Sequence, residues 1–405
     1  MANPITCSFF FILTIFFLMT TIFFVDSSVC AASLTYNVVR YGARSGGSID
    51  SSEAFLTAWN LACNAPQPAT TLYVPPGRFL LKSVKFQGPC KSSKITIRID
   101  GTLVAPSDYH VMGNIESWLF FKNVDGVAII GGTLDGQGRG LWDCKMSGKS
   151  CPPGATSLLF SKSKRIEING LTSMNSQLFH IVINTCENVK VEGVQVSAPG
   201  DSPNTDGIHV QQSSGVTISS STIGTGDDCV SLGPGTDNLW IENVHCGPGH
   251  GIRQVIGSLG KEYEEAGVQN VTVKRVTFSG TQNGVRIKSW ARPSTGFVKN
   301  VIFEDITVEN SENPIIIDQN YCPHNQECPG ETSGIKISGV TYNNIHGTSA
   351  SKVAIKQDCS STAPCTNIRL DDVRLTYKNT QAYASCANAK GSTSGVVQPS
   401  SCLGA

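Results

Sequence analysis

The chain has 405 residues, of which 40% are hydrophobic and only 15% charged, with 40 glycines. That composition is globular, neither disordered nor fibrous, and the length admits one large domain or two ordinary ones. Lys+Arg 31 balance Asp+Glu 31, so no net field draws the protein to nucleic acid or an anionic membrane surface, and any acidic ligand must be met by a local basic cluster.

From Cys7 to Val25 the sequence is almost purely Phe, Ile, Leu, Thr and Met, and Val29-Cys30-Ala31-Ala32 offers small residues to a signal peptidase. Residues 1–32 therefore read as a secretory signal that is removed, leaving one domain over 33–405, outside the cell and free of membrane. An uncleaved signal anchor is the rival reading. No Lys or Arg precedes the run, and about 19 apolar residues are enough to span a bilayer. Further on, Asp50-Ser51-Ser52-Glu53 has capping-box spacing, and Phe55, Trp59 and Cys63 follow at helical intervals. The pattern predicts an amphipathic helix over 50–63, lying on the N-terminal end of the fold.

The middle of the chain repeats. Alternating β-branched strands begin at Val127, Ile166, Val189, Val216, Leu239, Val271, Val301, Ile335 and Ile368, each followed by a Gly, Asn or Ser break and a second strand. The starts recur roughly every 23 to 34 residues, the range of solenoid repeats. Period-2 alternation means strand, and no helical stretch separates the strands, so they coil directly into stacked rungs. The chain reads as an all-β parallel β-helix, without an interdomain linker. The tail after Ala384 is polar and tied by Cys386 and Cys402.

Of 15 cysteines, Cys7 and Cys30 leave with the signal, and the remaining 13 sit mostly in close pairs. Cys144 with Cys151, Cys229 with Cys246, Cys322 with Cys328 and Cys359 with Cys365 suggest short closed loops. Adding Cys63–Cys90 and Cys386–Cys402 makes six bridges, as an oxidising compartment permits. Cys186 is left over in an apolar run, as a buried inert thiol. No Cys/His metal spacing appears, so neither metal nor other cofactor is expected. Asn270-Val271-Thr272 is the single glycosylation sequon.

Aligning rungs on their second strands matches Asp206-Gly207-Ile208 with Asp228-Cys229-Val230, then His250-Gly251-Ile252, then Asn283-Gly284-Val285. Asp206, Asp228 and His250 fall in one column. With rungs about 4.8 Å apart, its outer members lie on the order of 10 Å apart. Asp227 adds a carboxylate to the middle rung, and one rung onward Arg286 and Lys288 point away from the core. Taken singly, Asn-Thr-Asp-Gly is a good turn and Gly-Asp-Asp a solvated corner or half a calcium site. Their coincidence at equivalent slots is what points to a site. Crowded carboxylates raise at least one pKa, a cost that sites tolerate. A protonated and an ionised carboxyl together are what hydrolysis of a glycosidic bond requires, and nearby cations suit a sugar acid such as galacturonate.

Asn204-Thr205-Asp206-Gly207, Gly226-Asp227-Asp228, Gly249-His250-Gly251 and Arg286-Ile287-Lys288 resemble, in order, the four signature blocks of the polygalacturonases, glycoside hydrolase family 28. The resemblance extends over nearly all of 33–405, including Tyr36 to Ala43, Leu134 to Gly138 and Asp318 to Cys322. It implies a right-handed parallel β-helix that hydrolyses the α-1,4-galacturonan of pectin in the cell wall by an inverting mechanism without metal. Asp227 would be the general acid, with Asp206 and Asp228 holding the water and His250 tuning the acid. Arg286, Lys288 and Tyr321 would bind substrate, and a monomer is expected.

One departure stands out. The family usually reads Gly-His-Gly-Ile-Ser-Ile-Gly-Ser-Leu-Gly, whereas Gly249 to Gly260 carries two extra residues after the histidine. An even insertion keeps the inward and outward alternation, but a bulge there would shift His250 or bring Arg253 beside the cleft. The rival functions are a pectate lyase, a rhamnogalacturonan hydrolase, and a non-catalytic pectin-binding or allergen-like wall protein.

Overall fold

In the computed structural model, residues 34–251, 259–322 and 328–404 are described. The signal segment, Arg253 and the extra residues after His250 lie outside them. Strands that pair in parallel, apart from the antiparallel Thr380–Gln381 against Cys365–Tyr377, form one 20-stranded sheet, one of six strands and one of four, coiled as a right-handed parallel β-helix. Among the described residues, no helix is long and apolar enough to cross a membrane.

The period-2 pattern becomes a set of inward columns. Val127, Ile166, Val189, Val216, Leu239, Val271, Val301, Val340 and Ile368 are stacked register partners, each at most 2% exposed. Each such side chain contributes about 1.5–3 kcal/mol of burial. Ile335 does not belong to this column. It lies at the end of the preceding loop, where its carbonyl accepts 2.7 Å from Gln319 Nε2, and Val340 takes the slot. The strand begins only at Lys336, so an isolated apolar residue ahead of it imitates its start.

The breaks between strands have a common geometry. The residue before each member of that column is left-handed, among them Asn188, Asn238, Asn270, Asn300 and Asn367 with φ of 54–57°. Asn adopts that region at little cost. Its amide also links rungs: Asn300 Nδ2 donates 3.2 Å to Asn270 Oδ1, and Asn270 Nδ2 donates 2.8 Å to Asp237 Oδ1.

The N-terminal helix runs Ser52–Asn64. Its apolar face carries Phe55 to Phe79 at 6.3 Å and Trp59 edge-on to Phe86 and Phe121 at 5.3 and 5.8 Å. The predicted capping box is not made. Ser51 is the N-cap and makes no side-chain cap bond. Asp50 Oδ1 instead accepts from Ser52 N at 3.0 Å and Ser52 Oγ at 2.6 Å, because the Ser51 hydroxyl is engaged with the backbone of Arg44.

All six expected disulfides form, and Cys186 is a buried free thiol that burial pushes up to about 11.

Candidate active site

The site grows from the six- and four-stranded sheets, which occupy one flank of the solenoid. Ile181, Ile208 and Val230 are register partners, so Asp206 and Asp228 occupy equivalent positions just ahead of their strands. The turn that carries Asp206 is locked to the next rung, where Gly226 N donates to Ser202 Oγ at 3.2 Å and Thr205 Oγ1 at 3.1 Å. A Cβ on Gly226 would run into the Ser202 backbone. The close approach that brings Asp227 and Asp228 over Asp206 therefore requires glycine. Cys229–Cys246 ties the strand after Asp228 to its neighbour.

His250 sits one position away from the expected column. Asp228 bridges Gly251, which places His250 beside Asp227, and His250 N donates 2.9 Å to Asp227 O. The column of acids continues as Asp206, Asp228, Gly251, Asn283, and a second column holds Asp227, His250, Gln282. The offset has a local cause. Gly249 and Gly251 adopt φ of 131° and 86°, a bend open to glycine that sets the rung back by one residue, and Asn283 O leaves no room for a Cβ at Gly251. The consequence is direct: His250 Nδ1 lies 3.0 Å from Asp227 Oδ1 and 4.0 Å from Asp228 Oδ1.

Asp206 and Asp228 are 6% and 3% exposed, and Arg286 and Lys288 are 7% and 5% exposed. The two cations face away from the core, as the alternation requires, yet they are sunk in the cleft wall. Arg286 Nη2 donates 3.0 Å to Asp318 Oδ2. Tyr321 lies over both: Lys288 Nζ is 3.8 Å and Arg286 Cζ 5.3 Å from its ring centroid. Trp290 meets the same ring edge-on at 5.4 Å, and Cys322–Cys328 closes the loop that follows. All seven expected site residues are thus brought to one cleft.

Among the described residues that cleft has two lobes, which share Asn204, Asp227 and Tyr321. One lobe is lined by Phe179, His209, Gln211 and Lys288, the other by His250, Gln282, Arg286 and Asp318. His209, Asp318 and Gln282 were not expected. His209 Nδ1 lies 2.7 Å from Ser231 Oγ and its ring 5.3 Å from Phe179, and burial pushes its imidazole down to about 4. The signal was present in Asp206-Gly207-Ile208-His209, where His209 is an outward position two residues past the glycine. Ligand atoms of Asp227, Asp228 and His250 lie within 4.8 Å of one another, the grouping a cation would use.

A solenoid flank that sets adjacent carboxyls against buried cations is the architecture of a β-helical glycoside hydrolase. The chain belongs to one such family, described as Glycosyl hydrolases family 28, whose model matches residues 63–402. It is 63% identical over 378 residues to a polygalacturonase of Prunus persica, covering 93% of this chain and 95% of that one. To an exopolygalacturonase of Platanus acerifolia it is 43% identical, covering 92% and 98%. Among solved structures it is similar to an endo-xylogalacturonan hydrolase from Aspergillus tubingensis, with TM-score 0.77 and 23% identity over 89% of this chain and 99% of that one.

Proposed function

We propose that the protein is a polygalacturonase, which hydrolyses α-1,4-galacturonosyl linkages of pectin outside the cell, as a monomer in the cell wall. The observation that carries this reading is the place of Asp227 in the cleft. It lines both lobes, so a sugar chain occupying the two lobes has one bond directly over this carboxyl. A 63% identical relative named polygalacturonase supports the substrate.

The mechanism follows from the placement. Asp227, in its protonated form, donates to the leaving glycosidic oxygen, and Asp206 and Asp228 accept from a water and draw its proton as it attacks the anomeric carbon. Attack from the face opposite the leaving group inverts the configuration. His250, in contact with Asp227, holds the acid in place and influences its proton. Arg286 and Lys288 receive substrate carboxylates, and Tyr321 supports both cations while offering the sugar an edge of its ring.

The test is a reducing-sugar assay on polygalacturonate, with the anomer of the first product followed by NMR. Release of the inverted anomer supports the reading. An ultraviolet-absorbing unsaturated product would indicate a lyase, and binding without release of reducing ends would indicate a non-catalytic wall protein. Sizing the products decides between internal and terminal attack.

A further inference from the structure

On the large sheet, away from the cleft, Trp240 stands 41% exposed. Its register partners on the rungs either side are Thr217 and Thr272. The indole is fixed: Nε1 donates 2.9 Å to Glu242 Oε2, and Glu242 is itself paired with Arg275. A fixed, exposed indole on the outside of the sheet offers a face to a partner with an apolar side of its own.

The single sequon, Asn270-Val271-Thr272, lies against it. Val271 turns inward and is 1% exposed, which leaves Asn270 and Thr272 on the outside of the sheet. Asn270 occupies a left-handed corner at φ 55° and is exposed. Its Nδ2 donates to Asp237 Oδ1, so the side chain already leans toward the rung that carries Trp240.

We propose that Asn270 carries an N-linked glycan whose first sugars lie along the sheet and stack on Trp240. The proposal rests on the secretory reading given above. In the bond-forming step, Nδ2 of Asn270 attacks the anomeric carbon of an oligosaccharide held on a lipid diphosphate. The carbon–oxygen bond to phosphate breaks as the nitrogen–carbon bond forms, Nδ2 gives up one proton, and the lipid diphosphate leaves. Nδ2 keeps its other proton and so retains one hydrogen to donate. The pyranose ring presents axial C–H groups to the indole face, the contact that an exposed Trp accommodates. Neither Asn270 nor Trp240 is among the residues that line the cleft.

The experiment expresses the full chain through the secretory route of a eukaryotic host, beside Thr272→Val and Trp240→Ala. Intact mass is measured before and after peptide N-glycosidase. The expected wild type loses one glycan, Asn270 becoming Asp in the peptide map, and Thr272→Val is secreted without the glycan and equally active. Enzymatic removal of the glycan should lower Tm by roughly 2 °C in the wild type, the order expected for one aromatic contact in a chain this long. In Trp240→Ala, which keeps the glycan, removal should lower Tm by less, only by what turning Asn270 into Asp beside Asp237 costs. Secreted, active wild type with unmodified Asn270 overturns the site and leaves the secretory reading standing. An equal Tm loss in wild type and Trp240→Ala overturns the stacking on Trp240. A chain that never reaches the medium overturns the secretory reading, and the glycan with it.

Discussion

His250 Nδ1 stands 3.0 Å from Asp227 Oδ1 but 4.0 Å from Asp228 Oδ1, so one of two adjacent aspartates is in hydrogen-bond contact with the imidazole and the other is not. That asymmetry distinguishes two residues that are otherwise neighbours in sequence and chemistry. Asp227→Asn should therefore abolish turnover, since an amide has no proton to donate to the leaving oxygen. The variant should keep less than about a tenth of the wild-type rate, given the size of general acid contributions, with its circular dichroism unchanged. A rate above that mark would move the acid to another carboxyl.

The cations behave differently. Arg286 is paired with Asp318 and both cations lie against Tyr321, so each is held ready for a substrate carboxylate. Arg286→Ala and Lys288→Ala should raise KM on polygalacturonate by tenfold or more, a loss of about 1.4 kcal/mol each. On highly methyl-esterified pectin, where that carboxylate is absent, the penalty should shrink. Equal defects on both substrates would argue against recognition of the acid group.

Stability should fall in acid through His180. It is fully enclosed, with Nδ1 2.9 Å from Ser173 Oγ, and burial pushes its imidazole down to about 3. The unfolded chain binds a proton there near pH 6.5, which the folded chain refuses until about pH 3. The stability due to the neutral form is therefore complete above about pH 6.5 and is lost as pH falls toward 3, at up to ~1.4 kcal/mol per unit. His209 adds a smaller share, since it is partly open to the cleft. His180→Gln should be less stable at pH 7 yet lose less between pH 6.5 and 4, as read from urea midpoints. A variant as acid-sensitive as the wild type would clear His180 of this role.

Chelation separates proton transfer from metal catalysis at the same three residues. Asp227, Asp228 and His250 have donor atoms close enough for a cation, yet acid–base hydrolysis needs those groups uncoordinated. Prolonged EDTA treatment should leave the rate within about twofold of untreated protein, and excess Zn²⁺ should inhibit by occupying the carboxylates. A rate lost to EDTA and restored by Ca²⁺ would overturn the metal-free route.

Much of this could be read before any coordinates. Columns such as Val189, Val216 and Leu239 are legible because inward residues alternate strictly along each strand, and the disulfides because their cysteines fall close in sequence or on neighbouring rungs. What resisted was register across irregular backbone. Ile335 and Val340 both precede alternating residues, and only the left-handed corner at Gly339 marks which is stacked. His250 was offset by one because two glycines with positive φ flank it, and side-chain identity does not announce which glycines bend. Asp318 pairs with Lys288 along a regular strand and heads a stretch that resembles the family, whereas Gln282 reaches the cleft only through that irregular register, with no local pattern to mark it.

The left-handed corners also bear on how the chain tolerates change. Positions 188, 238, 270, 300 and 367 accept Asn and would accept Gly, but a β-branched residue there costs roughly 1–2 kcal/mol. Saturation mutagenesis scored by secretion should show a comb of sites intolerant of Val and Ile, with permissive surface positions between the teeth. With Gly215 and Gly339 at the corners of the rungs between, the spacing of the teeth equals rung length. The comb would thus measure the coil turn by turn in a relative for which no coordinates exist, and would mark where a rung had been gained or lost.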